Sequence, residues 1–318
     1  MRTTRVTKTV LFAVGVLGGV VAVQLLWPLL LSAQAGAGDA EFNIQATLPT
    51  HEQRVRVYRP VRPNLPPERL QQITRAFGMQ GQPSARGGVL ALDQGSKILR
   101  IDPNTGAMFY EDTSQVGARG ARSLPNTGQA GSRADQFVRN NDLLPQSASR
   151  RNVEVVSLLR QNQQGGQTSS EPHEVHVNYE FKLRGKPVEG PGAKATVVLG
   201  QGGEVIGFYK AWREVEEGRE VTTRSAGSAV AELRRKGMWS LTRQAGGRVR
   251  EVRITRARAA FWAEAIGRQQ TEIEPVYIFE GTVRRLDGAE IPFMQKVSAV
   301  ADKAEETWPG SPPQPPRQ

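Results

Sequence analysis

Histidines and carboxylates between residues 171 and 176 form the one cluster of metal-ligand types in this 318-residue sequence. A β-strand here would direct Glu174 and His176 to one face and His173 to the other, leaving Glu171 at the strand entrance. The helical spacing of a HExxH zinc motif is absent. We therefore expect no metal site and interpret the cluster as a solvated strand entrance.

Other catalytic residue types are scarce or lack their partners. The absence of cysteine excludes disulfides, thiolate metal sites and a cysteine nucleophile. No Gly-x-Ser-x-Gly elbow is present, and the glycine-rich stretches lack the ending of a phosphate-binding loop. The acidic pairs Glu216-Glu217 and Glu272-Glu274 have the type needed for acid–base chemistry, but solvated turns explain them more simply. The sequence predicts a non-enzymatic protein without a cofactor.

Three residues near the end of one predicted strand are candidates for binding a protein partner. Trp212 and Arg213 are of the types enriched at interface hot spots, and Tyr209 lies on the strand face opposite Phe208. The alternative is that Trp212 packs beneath the following helix.

An uncharged apolar run, Val10 to Leu31, is long enough to cross about 30 Å of hydrocarbon as a helix. Basic residues precede it without an acid, which predicts a cytoplasmic N-terminus and an extracytoplasmic body. A cleaved signal peptide is the alternative, because Ala33-Gln34-Ala35 suits a signal peptidase. If the helix is retained, close approach by another helix is expected at small residues, namely Gly15, Gly18 and Gly19.

The net charge of +11 would favour an anionic membrane or wall polymer, although a coding preference for arginine explains the excess as well. No basic run is interleaved with stacking aromatics, so we expect no nucleic-acid partner. The expected partners are the lipid bilayer and an envelope protein.

Composition and periodicity divide the chain into an anchor and two domains. The predicted segments are a basic tail (1–9), a transmembrane helix (10–31), a linker (32–41), an N-terminal domain (42–160), a linker (161–173), a C-terminal domain (174–302) and a proline-rich tail (303–318). Helices are predicted from Pro67, from Ser132 and over 225–236, and each precedes several strands. This order predicts an α+β fold in which helices pack on one face of antiparallel sheets.

Three strand regions carry the β prediction. The clearest alternation places Val175, Val177, Tyr179, Phe181 and Leu183 on one buried face. Short strands at 88–92, 97–102 and 107–111 predict a meander, and segment 114–131 is expected to be a loop. Further strands are expected at 153–159, 193–199, 204–212, 249–255, 275–284 and 291–300.

One stretch carries a family resemblance. The strand and turn from Val177 to Gly190 (VNYEFKLRGKPVEG), then Gly192-Ala193-Lys194 and the Gly203-to-Ile206 strand start, resemble PepSY-like and YycH/YycI-like envelope ectodomains. In the turn, Gly185 and Gly190 permit positive φ while Pro187 stiffens the reversal. The resemblance covers about residues 174 to 300 and implies a non-catalytic module that regulates a sensor kinase or a peptidase.

These observations favour a membrane-anchored extracytoplasmic protein that binds or regulates an envelope partner. An envelope hydrolase using carboxylates and a structural assembly component remain the alternatives.

Overall fold

The computed structural model describes residues 40–115, 123–161 and 168–303. Its helices are α1 (Pro67–Ala76), α2 (Thr127–Asn140), α3 (Ala226–Lys236) and α4 (Met238–Ala245). Its strands are β1 (Glu41–Ile44), β2 (Arg54–Pro60), β3 (Ser84–Arg86), β4 (Val89–Gln94), β5 (Lys97–Ile101), β6 (Met108–Asp112), β7 (Ala148–Gln161), β8 (Thr168–Leu183), β9 (Lys186–Glu189), β10 (Lys194–Leu199), β11 (Val205–Ala211), β12 (Val215–Thr222), β13 (Val249–Trp262), β14 (Glu274–Arg285) and β15 (Glu290–Ser298). The fold is α+β, as predicted, with mostly antiparallel strands.

Two compact units make up the described chain. Unit 1 comprises Arg59–Glu216 and Trp262–Glu272, and the described part of unit 2 comprises 40–58, Glu217–Phe261 and 273–303. The sequence analysis predicted domains made of consecutive residues. Each of the two units instead consists of separate segments, and the boundaries between the units fall within β2 and β12 and at the end of β13.

Unit 1 is built on antiparallel strands. Their order is β9-β8-β10-β11-β6-β5-β4-β3, and β7 also pairs with β8. The predicted meander is confirmed as β4, β5 and β6. The helix α1 buries Leu70 and Ile73, and Phe77 after it stacks on Tyr110 with ring centroids 4.2 Å apart. These contacts fix α1 against the strands by burying apolar surface.

Unit 2 has its own core. Its strands β14 and β15 pair antiparallel, whereas β1 runs parallel to β13. Apolar side chains of α3 and α4, among them Leu233 and Leu241, pack with Phe279 and Phe293 from β14 and β15. The α3 helix starts as predicted, with the Ser225 hydroxyl accepting a hydrogen bond from the Ser228 N–H.

Local chemistry explains where the helix boundaries differ from the predictions. The α2 helix begins at Thr127, not Ser132, because Asn126 and Gln129 form a reciprocal capping box. Residues 127–131, predicted as loop, are therefore helical. The α4 helix was not predicted. It follows Gly237 and ends at Gly246, which has a φ of +66°.

The strand β8 confirms the predicted alternation, since Val175, Val177 and Phe181 are fully buried. It begins at Thr168, so the described part of the predicted linker 161–173 is strand. Pro172, at the end of that predicted linker, lies opposite Ser157, where the register with β7 shifts. A register shift of this kind accommodates a residue that cannot donate to the ladder.

Several anchor and tail predictions lie outside the described residues. They concern Val10–Leu31, its glycines Gly15, Gly18 and Gly19, cleavage after Ala35, and the tail from residue 304. Among the residues that are described, no helix combines the length and hydropathy that a membrane crossing requires.

The turn after β8 gives a test of local stability. Gly185 and Gly190 have φ values of +75° and +103°, which confirms the predicted positive φ. A Cβ at Gly185 would meet open space, whereas one at Gly190 would collide with the Ala263 carbonyl and lie 3.1 Å from the Trp262 ring. We expect Gly185→Ala to lower the free energy of unfolding by about 1 kcal/mol and Gly190→Ala by about 2 kcal/mol.

Urea denaturation of the two variants, followed by circular dichroism, measures this difference. Gly185→Ala is the matched control for the φ cost alone. Equal losses in the two variants would show that the Ala263 carbonyl moves away without cost.

Candidate functional site

Trp212, predicted as a partner anchor, lies in the interior of unit 1. Its side chain is 3% exposed and stacks on Phe181, with ring centroids 4.2 Å apart and planes 3° apart. Because Phe181 belongs to the buried face of β8, this contact stabilises the core of unit 1. Partner binding by Trp212 stays a prediction.

Arg213 is buried as well, at 4% exposure. Its guanidinium donates hydrogen bonds to the carbonyls of Glu264, Ala265, Ile266 and Arg268 over 2.7–3.0 Å. Burial lowers the pKa of Arg213 below its ordinary value. The residue therefore holds the loop from 264 to 268 in place, a structural role that the sequence did not suggest.

Tyr209 lies on the opposite face of β11 from Phe208, as predicted. It is half-buried, its ring centroid is 5.3 Å from that of Phe109, and its hydroxyl donates to Glu111 over 3.3 Å. Burial, with the nearby Glu111 and Glu174 carboxylates, raises the pKa of Tyr209. The structure does not bring Tyr209 together with Trp212 and Arg213 on one accessible surface.

The acidic and histidine side chains singled out in the sequence have polar partners. His176 Nε2 lies 2.7 Å from Glu174 Oε1, and Glu216 accepts from Arg59 over 2.7 Å. Glu217 lies 3.6 Å from Arg56. Within residues 40–115, 123–161 and 168–303, no group of three or more histidine or acidic side chains is arranged to hold a metal ion.

A cleft of about 410 Å³ in unit 1 has a buried lysine among its lining residues. It is lined by the loop before α1, the turn after α2, the start of β6 and the end of β11. We call it the Lys210 cleft and define it by its lining residues: Pro63, Asn64, Leu65, Pro66, Arg69, Gly106, Met108, Asp142, Leu143, Leu144, Pro145, Lys210, Trp212 and Glu214.

Lys210 is the buried charge in this cleft. It shares one face of β11 with Phe208 and Trp212, because strand residues alternate between faces. The side chain is 8% exposed, and within the described parts of the chain its ammonium has neither a hydrogen bond nor an ion pair. Burial lowers the pKa of Lys210 to about 8, against a smaller opposing effect of Glu214.

Arg69 and Asp142 form the side of the cleft. Asp142 follows α2 with a φ of +49°, so the chain turns sharply there. Arg69 Nη1 donates to Gln72 over 2.7 Å and to the Asn141 carbonyl over 3.2 Å. Its Nη2 donates to the Asp142 carbonyl and lies 3.6 Å from the Asp142 carboxylate. The Arg69 guanidinium is thus engaged with protein groups, which leaves Lys210 as the available cation.

The sequence carried one signal for this site. The strand predicted at 204–212 already placed Lys210 between Phe208 and Trp212 on the buried face, where lysine is rare without a partner. The other walls come from distant positions around Leu65 and Leu143, which no local pattern brings together.

Comparisons with known proteins do not identify a family. No family model matches this sequence, and no curated protein matches it. Among solved structures, the chain is similar to an uncharacterized protein from Eubacterium rectale, with 10% sequence identity over 83% of this chain and 88% of that one. The TM-score is 0.42, a likeness that carries no argument about function. The resemblance to PepSY-like and YycH/YycI-like domains stays a prediction.

Proposed function

We propose that this protein is a non-enzymatic, membrane-anchored extracytoplasmic protein that binds or regulates an envelope partner. The observation that carries the proposal is the uncharged run Val10 to Leu31, preceded by basic residues and followed by a long folded body. A single anchor of this kind holds a folded body beside the membrane, where membrane proteins are its neighbours. The finer architecture in the proposal is two extracytoplasmic α+β domains with helices packed on one face of their sheets.

Two further observations support a binding role. The resemblance of residues 174–300 to PepSY-like and YycH/YycI-like domains implies a regulator, with a sensor kinase or a peptidase as the partner. The Lys210 cleft holds an ammonium without a hydrogen bond from the described residues, in a cavity lined by both apolar and polar groups, a combination typical of a binding site.

The second candidate function is an envelope hydrolase that uses carboxylates. Asp142 and Glu214 both line the Lys210 cleft, and that observation favours it. Binding ranks higher because Asp142 lies beside Arg69 and has an 83% exposed side chain. A general acid instead needs a carboxyl group shielded from water and from cations.

Crosslinking in intact cells tests the proposed function. We expect the full-length protein to recover one envelope protein reproducibly, and the triple variant Gly15→Leu, Gly18→Leu, Gly19→Leu to recover it several-fold less. The reason is that leucine at these positions keeps another helix from approaching closely. Mass spectrometry of the crosslinked products measures recovery, and protease accessibility of the body in spheroplasts measures export.

The matched control is a variant with leucine at Val14, Val16 and Val20, which enlarges the helix elsewhere and should keep recovery unchanged. Failure to enrich any envelope protein over repeated crosslinking, or a body that protease cannot reach in spheroplasts, would reject the proposal. Equal recovery by the glycine variant and the control would reduce the helix to a tether.

A further inference from the structure

We propose that the Lys210 cleft binds the C-terminal carboxylate of a peptide whose last residue is apolar. This deepens the proposed function and rests on it, since it names the part of the partner that unit 1 would hold. The assignment follows from the position of Lys210, the walls around it and the size of the cavity.

The Lys210 ammonium has no hydrogen-bonded counterion among the described residues, and the carboxylates of Glu214 and Asp142 act on it only through space. An ammonium removed from water is costly unless it is paired, and native structures normally pair such groups. Lys210 is more than nine-tenths buried on a face otherwise occupied by Phe208 and Trp212, yet no described residue hydrogen-bonds to it. An apolar side chain at this position would give a more stable folded state. A buried charge that destabilises the fold, and that no protein group compensates, indicates that the charge is required for binding.

Apolar groups make up much of the cleft walls. Leu65, Leu143 and Trp212 line the cleft together with three prolines and Met108, so an apolar side chain of a ligand would find apolar contacts there. The ammonium needs a single anionic acceptor. A carboxylate next to an apolar side chain supplies both features, and the last residue of a peptide combines them within a few ångströms.

The available charge and the volume of the cleft further limit the range of ligands that it can bind. A phosphate group is normally held by several donors, but the guanidinium of Arg69 is already committed to Gln72, Asn141 and Asp142. A volume of about 410 Å³ lies near the lower end of the range for small-ligand sites. It therefore suits a terminal residue or two rather than a long segment lying across the surface.

Calorimetric titration of the full-length protein in lipid nanodiscs tests the inference. The probe is acetyl-Ala-Leu with a free carboxylate, and the comparison ligand is the same dipeptide with a C-terminal amide. We expect the carboxylate to bind at least tenfold more tightly than the amide. Lys210→Met should abolish that preference, because one charge-assisted hydrogen bond is worth roughly a factor of ten or more in affinity.

Lys194→Met is the matched control, since Lys194 is an exposed lysine on β10 in the same unit. It should bind both dipeptides as the wild type does. If Lys210→Met does not fold, acetylation of the wild-type protein by acetic anhydride at pH 8 replaces it. Saturating dipeptide should then slow acetylation of Lys210 at least fivefold and leave Lys194 unaffected.

Three results would overturn the inference. They are equal affinity for carboxylate and amide, no binding of either at millimolar concentration, and equally tight binding of 3-methylbutanoate, which would assign the cleft to small carboxylic acids. The titration uses purified protein, so it is independent of partner recovery in cells. A failed titration with successful crosslinking rejects the cleft assignment alone, and the reverse rejects the partner role alone.

Discussion

Replacing Lys210 by methionine is expected to raise the free energy of unfolding at pH 7 by about 3 kcal/mol. Burial lowers the pKa of Lys210 from its ordinary 10.5 to about 8, and one pKa unit corresponds to about 1.4 kcal/mol. At pH 7 the amine is protonated in both the folded and the unfolded states, so the full cost of burying the charge is present. Methionine keeps most of the apolar stem and removes this cost.

The lowered pKa of Lys210 also determines how the free energy of unfolding changes with pH. Between pH 8 and 10.5 the folded protein has released the Lys210 proton while the unfolded chain still holds it. Because the unfolded state then binds more protons, stability rises with pH across this window. Lys210→Met should lack this rise. The charged neighbours that face the amine, namely Glu214, Asp142 and Arg69, are unchanged in the variant.

Urea denaturation of the full-length protein in detergent, from pH 7 to pH 9.5, measures both effects. The upper limit avoids tyrosine, because burial raises the pKa of Tyr110 to about 12 and would make stability fall above pH 10. Lys194→Met controls for loss of an exposed lysine. A Lys210→Met protein no more stable than the wild type at pH 7, or with the same slope, would show that the ammonium finds compensation in solution.

Lys210 also shows how far the sequence predicts the candidate site. The strand and its alternation, which puts Lys210 on the same face as Phe208, followed from residue types within a few positions, because side chains alternate along a strand. The cleft did not follow, because its walls near Leu65 and Leu143 are brought to β11 by tertiary packing. The sequence did show a lysine on an apolar strand face. That this lysine lines a cleft depends on residues far from it along the chain.

The architecture shows the same limit at a larger scale. The helix α1, the meander and the face of β8 were predicted because each depends on local periodicity and turn residues. Division of the chain into consecutive domains differed from the structure because residues 262–272 belong with unit 1, although unit 2 precedes and follows them. Arg213 donates hydrogen bonds to the 264–268 loop of the same unit. Its partners in that loop lie 51 to 55 residues further along the chain.

Replacing Arg213 by methionine is expected to lower the free energy of unfolding by about 5 kcal/mol. Four carbonyls of the 264–268 loop accept bonds from its guanidinium. Hydrogen bonds to a charged group contribute about 1.5 kcal/mol or more each, and buried carbonyls left without donors add to the loss. Arg213→Lys, which keeps the charge but not the planar set of donors, should lose roughly half as much.

Two measurements separate this role from a general loss of charge. Urea denaturation gives the free energies, with Arg62→Met as the control because Arg62 is exposed and makes one 3.3 Å bond to the Pro103 carbonyl. Limited trypsin digestion under native conditions reports on the loop itself, since Arg268 is exposed within it. Cleavage after Arg268 should accelerate in Arg213→Lys before global unfolding occurs. The contrary result would be a free energy of unfolding for Arg213→Met within about 1 kcal/mol of the wild-type value, with unchanged cleavage after Arg268. Water or the main chain would then have to satisfy those carbonyls. Arg213 would in that case be free for the partner contact that its residue type suggested.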